Sequence, residues 1–122
     1  MQKIIFDTSF LMAIVENPTT WFEDIVDVLG KFQPILPDCV KGELEEIAAE
    51  QGNRARTARV SLELTSRFSR VPCGDARVDD EIVSAALSNQ AIVATIDADL
   101  ADTLRATHVR VISLRKGRVA LS

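Results

Sequence analysis

The 122-residue chain predicts an α/β fold, with a mostly parallel sheet covered by helices on both faces. Three observations carry that expectation. Ile4-Ile5-Phe6 and Ala91-Ile92-Val93-Ala94-Thr95-Ile96 are too short for helices and have the continuous apolar character of strands buried on both sides. The stretches between such runs repeat their apolar residues at helical spacing. Strand and helix alternate along nearly the whole chain, as successive βαβ units require.

The run Lys3-Ile4-Ile5-Phe6 reads as the first buried strand. Asp7 closes it, Thr8 and Ser9 follow, and Phe10–Val15 with its flanks reads as a helix. Asp7 thus stands where strand turns into helix, the edge at which parallel sheets bind ligands. Asp, Thr and Ser are also preferred N-caps, so a plain cap remains open. Asn17-Pro18 breaks the pattern. Thr20-Trp21-Phe22-Glu23 has the spacing of a capping box, with Thr20 as cap; a helix follows to about Leu29, and Gly30 ends it. Trp21, Phe22, Ile25, Val28 and Leu29 recur at helical spacing and are expected in the core.

Gln33–Leu36 reads as a second strand. Asp38 is expected to cap a helix reaching about Gln51, stopped by Gly52, with Val40, Leu44, Ile47 and Ala48 as its buried stripe. Glu43 borders that stripe, three residues after Val40 and four before Ile47. A carboxylate there is costly to desolvate, so it is a salt-bridge partner, a half-exposed flank or a site residue. Asn53–Arg70 reads as an arginine-rich helix with Val60, Leu62, Leu64 and Phe68 on its apolar side. A short strand is expected near Val71 and Pro72, and a turn at Gly74-Asp75-Ala76.

Val78 to about Ser88 reads as a helix with Ile82, Val83 and Ala86 inward. Asp79 precedes Ile82 by three residues and Val83 by four, so it shares their face, while Asp80 turns away. A first-turn acid also suits the helix dipole, so capping stays open here too. The strand Ala91–Ile96 ends at Asp97, and a helix follows to about Ala106. This repeats the opening arrangement of strand, acid, nearby hydroxyl and helix. Val109–Leu114 is expected as a last parallel strand. Lys116-Gly117 then turns the chain into an edge strand, Arg118–Leu121. One domain, residues 1–122, is the expectation for this length.

Composition narrows the function. No apolar run approaches the ~18 residues that span a bilayer, and no signal segment opens the chain, so a cytoplasmic protein without a membrane partner is expected. Cys39 and Cys73 lack metal-ligand spacing and read as reduced, partly buried thiols. Net charge is −4, from 14 basic and 18 acidic side chains, but it is unevenly spread. Residues 51–70 hold Arg54, Arg56, Arg59, Arg67 and Arg70 against Glu63 alone, and the tail from Arg105 to Arg118 holds five basic residues and no acid. Local basic faces on an acidic protein suit a polyanionic ligand, or are simply solvated. No glycine-rich phosphate loop is present. His108, the only His, reads as a surface or cap residue, and Ser9 has no His partner for a nucleophilic triad.

Right-handed crossovers bring all parallel strand ends to one edge. Asp7 and Asp97 lie on it, and helices starting there add Asp79 and Glu43. Two carboxylates ~4 Å apart repel by roughly 4 kcal/mol at an effective dielectric of ~20. Four in one cleft therefore call for protonation or a cation. All-oxygen ligands favour Mg²⁺ or Mn²⁺ over zinc. Such a site polarises a phosphoryl oxygen and activates water, which is the chemistry of phosphodiester hydrolysis. The arginines would hold the rest of the polyanion.

Ile4-Ile5-Phe6-Asp7-Thr8-Ser9, Gly42-Glu43-Leu44, Val78-Asp79-Asp80-Glu81-Ile82-Val83 and Ile92-Val93-Ala94-Thr95-Ile96-Asp97-Ala98-Asp99-Leu100 resemble, in order, the four acidic motifs of the PIN domain family of metal-dependent ribonucleases. The resemblance implies a three-layer α/β/α sandwich and an endoribonuclease using Mg²⁺ or Mn²⁺. It places Asp7, Glu43, Asp79 and Asp97 as catalytic, with Asp7, Asp79 and Asp97 on the metal. Ser9 and Thr95 would support them, Asp99 would act from outside the metal's own ligands, and Asp80 is the rival to Asp79. Arg54, Arg56 and Arg59 would contact RNA. The tail and the Asp79-Asp80 pair look more like archaeal relatives of ribosomal-RNA-processing PIN proteins than like toxins of toxin–antitoxin pairs. The resemblance implies a ribosome-assembly partner or an antitoxin accordingly, and a homodimer through the second helix with Trp21. Two rivals stand beside this reading. One is a non-catalytic RNA-binding or assembly factor of the same fold. The other is a phosphotransfer protein using Asp7 as nucleophile, which the Ser two residues on disfavours.

Overall fold

Continuous apolar runs become the inner strands of a single sheet. In the computed structural model, which describes residues 1–122, the strands are β1 (Gln2–Phe6), β2 (Phe32–Pro37), β3 (Ser69–Val71), β4 (Ile92–Ala94), β5 (Val111–Arg115) and β6 (Arg118–Leu121). The helices are α1 (Thr8–Glu16), α2 (Trp21–Leu29), α3 (Asp38–Ala48), α4 (Asn53–Leu64), α5 (Val78–Asn89) and α6 (Ala98–Ala106). The strand order is β3-β2-β1-β4-β5-β6. All pairings are parallel except β5 with β6, which the Lys116-Gly117 turn joins as an antiparallel hairpin. Both turn residues have positive φ, 51° and 76°, as a two-residue hairpin loop with right-handed strand twist requires. Helices α1, α3 and α4 pack together, α5 packs on α6 and β1, and α6 on β5. This is the expected α/β/α arrangement.

Strand β1 is central, and Ile4, Ile5 and Phe6 are wholly buried. The Phe6 ring collects the rings of Phe10 (5.7 Å), Trp21 (5.7 Å), Phe32 (6.5 Å) and Phe68 (5.3 Å), tying α1, α2, β2 and the approach to β3 to one point. From β1 the chain steps outward to β2 and β3, then crosses to β4 on the opposite side of β1. That reversal opens a crevice beyond the C-terminal ends of β1 and β4.

Several local expectations need correction. On α2, Ile25 is buried, but Phe22 and Val28 are 51% and 55% exposed; only one side of this short helix meets the protein. Thr20 holds the N-cap position of α2 as expected, but its side chain makes no capping hydrogen bond to a backbone N–H; its hydroxyl donates to the Asp24 carboxylate instead. Asp38 does not cap α3 either: Pro37 holds that position, and Asp38 pairs with Arg70. The arginine-rich segment is two elements, since α4 ends at Leu64 and β3 begins at Ser69. Val60 and Leu64 are exposed, while Ala55, Ala58, Ser61 and Thr65 are buried. Small side chains at this spacing let α4 dock closely on α1 and α3, which apolar periodicity does not register. Cys39 and Cys73, expected as free thiols, are bridged. Pairing of β2 with β3 brings the segments after both strands together, with Cα atoms 5.8 Å apart, well within reach of a disulfide.

One further contact closes the edge of the fold. Arg118 of β6 donates through Nε and Nη2 to the two carboxylate oxygens of Asp24 on α2, each at 2.9 Å, and the Val119 N–H donates to the same carboxylate. These donors, Arg118 first, lower the Asp24 pKa to about 2. A depressed carboxylate pKa stabilises the folded state above the unfolded value and ceases to do so as pH falls through the folded one. Acid titration from about pH 4 to pH 2 should therefore cost wild-type protein a contribution that Asp24→Asn has already lost. The melting temperatures of the two should converge over that window. A constant gap down to pH 2 would refute this role for Asp24.

Candidate active site

The crevice at the strand reversal is a cleft of about 440 Å³ lined by Asp7, Thr8, Ser9, Met12, Ala13, Glu16, Glu43, Arg54, Asp79, Ile96 and Asp97. Its acids come from unconnected elements. Asp7 follows β1, and its N–H extends the sheet by donating to Ala94 O at 2.9 Å. Asp97 lies just beyond β4, Glu43 is in the second turn of α3, and Asp79 is in the first turn of α5. Parallel pairing of β1 with β4 sets the first two side by side, and the helices that begin at this edge bring in the other two.

Three of the four carboxylates are held by one oxygen and leave the other free. Asp7 is 6% exposed; its Oδ2 accepts from Ser9 (2.7 Å) and from the buried Thr95 hydroxyl (2.8 Å). Asp7 occupies the N-cap position of α1 but makes no capping hydrogen bond, so its side chain serves the cleft rather than the helix. Glu43 accepts from Thr8 Oγ1 on Oε1 at 2.8 Å. Asp97 caps α6, accepting the Leu100 N–H on Oδ1 at 3.1 Å. Ser9 also accepts from the Ile96 N–H, and Thr95 from the Asp97 N–H, so the two hydroxyls knit the ends of β1 and β4 together. The Asp79 carboxylate makes no hydrogen bond within the chain and caps nothing, since Arg77 holds the N-cap position of α5.

The charges disfavour one another. Burial raises the Glu43 pKa; the Thr8 hydrogen bond opposes this, and the charges of Asp7 and Asp79 add to the rise. Asp79 is raised by burial and then by Asp7 and Asp97, with Arg77 opposing. A donor set of hard oxygens under mutual repulsion suits a divalent cation of the Mg²⁺ or Mn²⁺ kind. No three of the acids are grouped closely enough in this structure to enclose an ion by themselves.

Placement of the other expected residues is mixed. Asp80 and Asp99 stay outside the acidic cleft, in a smaller groove on the far side of Asp79 with Arg77, Val83, Leu100 and Thr103. Arg54 lines the cleft. Arg56 is exposed on α4 and does not line it. Arg59 is a correction: its guanidinium donates to Ala48 O (3.2 Å) and Glu50 O (3.1 Å), satisfying carbonyls at the end of α3 rather than facing a ligand. Thr8 and Glu16 belong to the cleft and were not singled out from sequence. Thr8 sits in the Asp-Thr-Ser run, but its partner Glu43 is 35 residues away.

Comparison with known proteins follows the same lines. The family described as "PIN like domain" matches residues 4–117. The curated rRNA-processing protein FCF1 of Saccharomyces cerevisiae is 28% identical over 109 residues, covering 84% of this chain and 54% of that protein. The chain thus spans about half the length of that relative. Among solved structures, the PIN domain endonuclease Utp24 superposes with a TM-score of 0.81 at 27% identity, over 98% of this chain and 90% of the other. A domain of a functionally unknown Methanocaldococcus jannaschii protein reaches 0.70 at 17% identity, covering 100% and 97% of the two chains, and shares the fold. With the family matching almost from end to end, the chain belongs to the PIN-like domain family.

Proposed function

We propose that this protein is an endoribonuclease that hydrolyses RNA phosphodiester bonds with the aid of Mg²⁺ or Mn²⁺. The observation that carries the proposal is the acidic cleft: four carboxylates from four elements at the strand reversal, three held by one oxygen with the other free. When bound, the ion would supply Lewis acidity toward a phosphoryl oxygen and a lowered pKa for bound water. Asp7, Asp79 and Asp97 would hold it, directly or through water. Glu43, anchored by Thr8, would ligate or orient the attacking water. Ser9 and Thr95 would fix Asp7, as outer partners of metal ligands commonly do. Asp80 and Asp99 would contribute only electrostatically from the neighbouring groove. Arg54 and Arg56 would meet the RNA backbone.

The likeness to the rRNA-processing protein FCF1 supports processing of ribosomal RNA, with a ribosome-assembly partner, over a toxin's role with an antitoxin, and the likeness to the endonuclease Utp24 supports cleavage within the RNA chain. No helix is long and apolar enough to cross a membrane. The second reading, a non-catalytic RNA-binding factor, draws on the spread of the acids, no three of which close on one ion position.

Mn²⁺ binding followed by paramagnetic resonance separates the two without knowledge of the RNA target. The parent is expected to bind Mn²⁺, and Asp97→Asn to bind it about tenfold more weakly or worse. Equal binding by the two would remove Asp97 from the site. No binding by the parent at millimolar Mn²⁺, with RNA affinity retained, would favour the non-catalytic factor.

A further inference from the structure

The cleft contains one cation. Among its lining residues Asp7, Glu16, Glu43, Asp79 and Asp97 are acidic and Arg54 alone is basic. Arg54 is exposed at the start of α4 and, despite these neighbours, makes neither an ion pair nor a hydrogen bond to any of them. Four other arginines are engaged elsewhere, Arg59 on the end of α3, Arg70 on Asp38, Arg105 on Ser122 and Arg118 on Asp24; Arg56, Arg67, Arg77, Arg110 and Arg115 are unpaired as Arg54 is, but none of them lines the cleft. The place of Arg54 is set by the helix that carries it. Its neighbour Ala55, with Ala58 and Ser61, is buried without exposure against the protein, so the rotation of α4 is fixed and Arg54 is presented at the cleft rim.

An arginine free of partners beside a cluster of carboxylates has its five N–H donors available for an anion. The anion that the proposed chemistry brings there is the phosphodiester being cleaved. We infer that Arg54 is a catalytic residue that grips a non-bridging oxygen of the scissile phosphate, beyond any general contact with RNA backbone. This rests on the nuclease reading of the cleft. In the hydrolysis, water oxygen bonds to phosphorus and yields a proton to solvent, while the P–O bond to the leaving ribose oxygen breaks and that oxygen is protonated. Negative charge on the non-bridging oxygens must be balanced throughout. Carboxylates cannot do this; beside the oxygen that a bound ion would serve, the fork of N–H donors on Arg54, which lines the same cleft, can serve another.

The test compares the parent, Arg54→Ala, Arg54→Lys and Arg56→Ala on two Mn²⁺-supported substrates. One is a mixed-sequence single-stranded oligoribonucleotide. The other is bis(p-nitrophenyl) phosphate, whose single phosphate has no flanking backbone. Arg54→Ala is expected to lower kcat about a hundredfold on both, with Mn²⁺ binding and melting temperature retained. Arg54→Lys should recover part of that loss, keeping the charge without the fork. Arg56→Ala should raise KM on RNA while sparing kcat. Loss on RNA but not on the single-phosphate diester, or a rise in KM alone, would make Arg54 a backbone contact and overturn the inference. So would loss of Mn²⁺ binding or of stability with the activity. A parent that hydrolyses neither substrate would instead defeat the nuclease reading itself, and Arg54 with it.

Discussion

Asp7→Asn should reduce metal-dependent RNA cleavage by roughly a hundred- to thousand-fold while leaving the melting temperature unchanged or raised. The two halves have one cause. Asp7 is nearly buried, and its charge pushes the pKa values of Glu43 and Asp79 upward. An amide of the same shape removes that repulsion. Its carbonyl oxygen still accepts the hydroxyls of Ser9 and Thr95, so the junction of β1 and β4 keeps its hydrogen bonds. What disappears is an anionic oxygen facing the cleft. Glu43 and Asp79 should titrate at lower pH in the variant, which carboxyl-resolved NMR reads directly. A variant that cleaves like the parent would end the assignment of Asp7. A variant that melts well below the parent would mean the carboxylate is structural.

Phe6→Ala, one residue upstream, should do the reverse and act through stability. Phe6 is wholly buried, and its ring touches four others on four separate segments. Truncation removes the transfer energy of the ring and leaves a cavity that rings held by four different segments cannot all collapse into. The cost should be about 3–5 kcal/mol. Against a total of roughly 5–15 kcal/mol for a domain, that is a large share. A fall in melting temperature of about 10–20 °C is expected by calorimetry or circular dichroism. Cleavage measured per folded molecule, below the transition, should change far less than in Asp7→Asn. A loss under ~1 kcal/mol would show that the rings repack and that Phe6 is not the organising contact.

Adjacent positions on β1 thus divide the work, and the division was readable from the chain. An apolar run closed by one acid announces a strand whose last residue leaves the core. The same pattern at Ala91–Asp97 announces its neighbour. Periodicity marks the helical faces of Asp79 and of Glu43, because a carboxylate three and four residues from core positions cannot be far from the core. The parallel order of the sheet and the convergence of its strand ends follow from alternation and handedness, both local in origin.

What sequence left open depends on contacts between distant segments. Whether Asp7 caps α1 or serves the cleft depends on Ser9 and Thr95, and Thr95 is 88 residues away. The Glu43 partner, Thr8, and the pairing of Cys39 with Cys73 are set by how helices and strands meet at one edge. Arginines of similar sequence context separate in space. Arg54 faces the acids, and Arg59 is spent on carbonyls of α3. The phase of α4 decides that, and it is set by small buried residues that carry little hydrophobic signal. By itself the sequence determined a parallel α/β sheet and the acids at its C-terminal edge, because strand length, apolar periodicity and crossover handedness are properties of neighbouring residues. Only the tertiary structure decided which oxygens of those acids are tied and which are free, and which cation faces them, because hydrogen bonds and helix docking join residues that no local pattern relates.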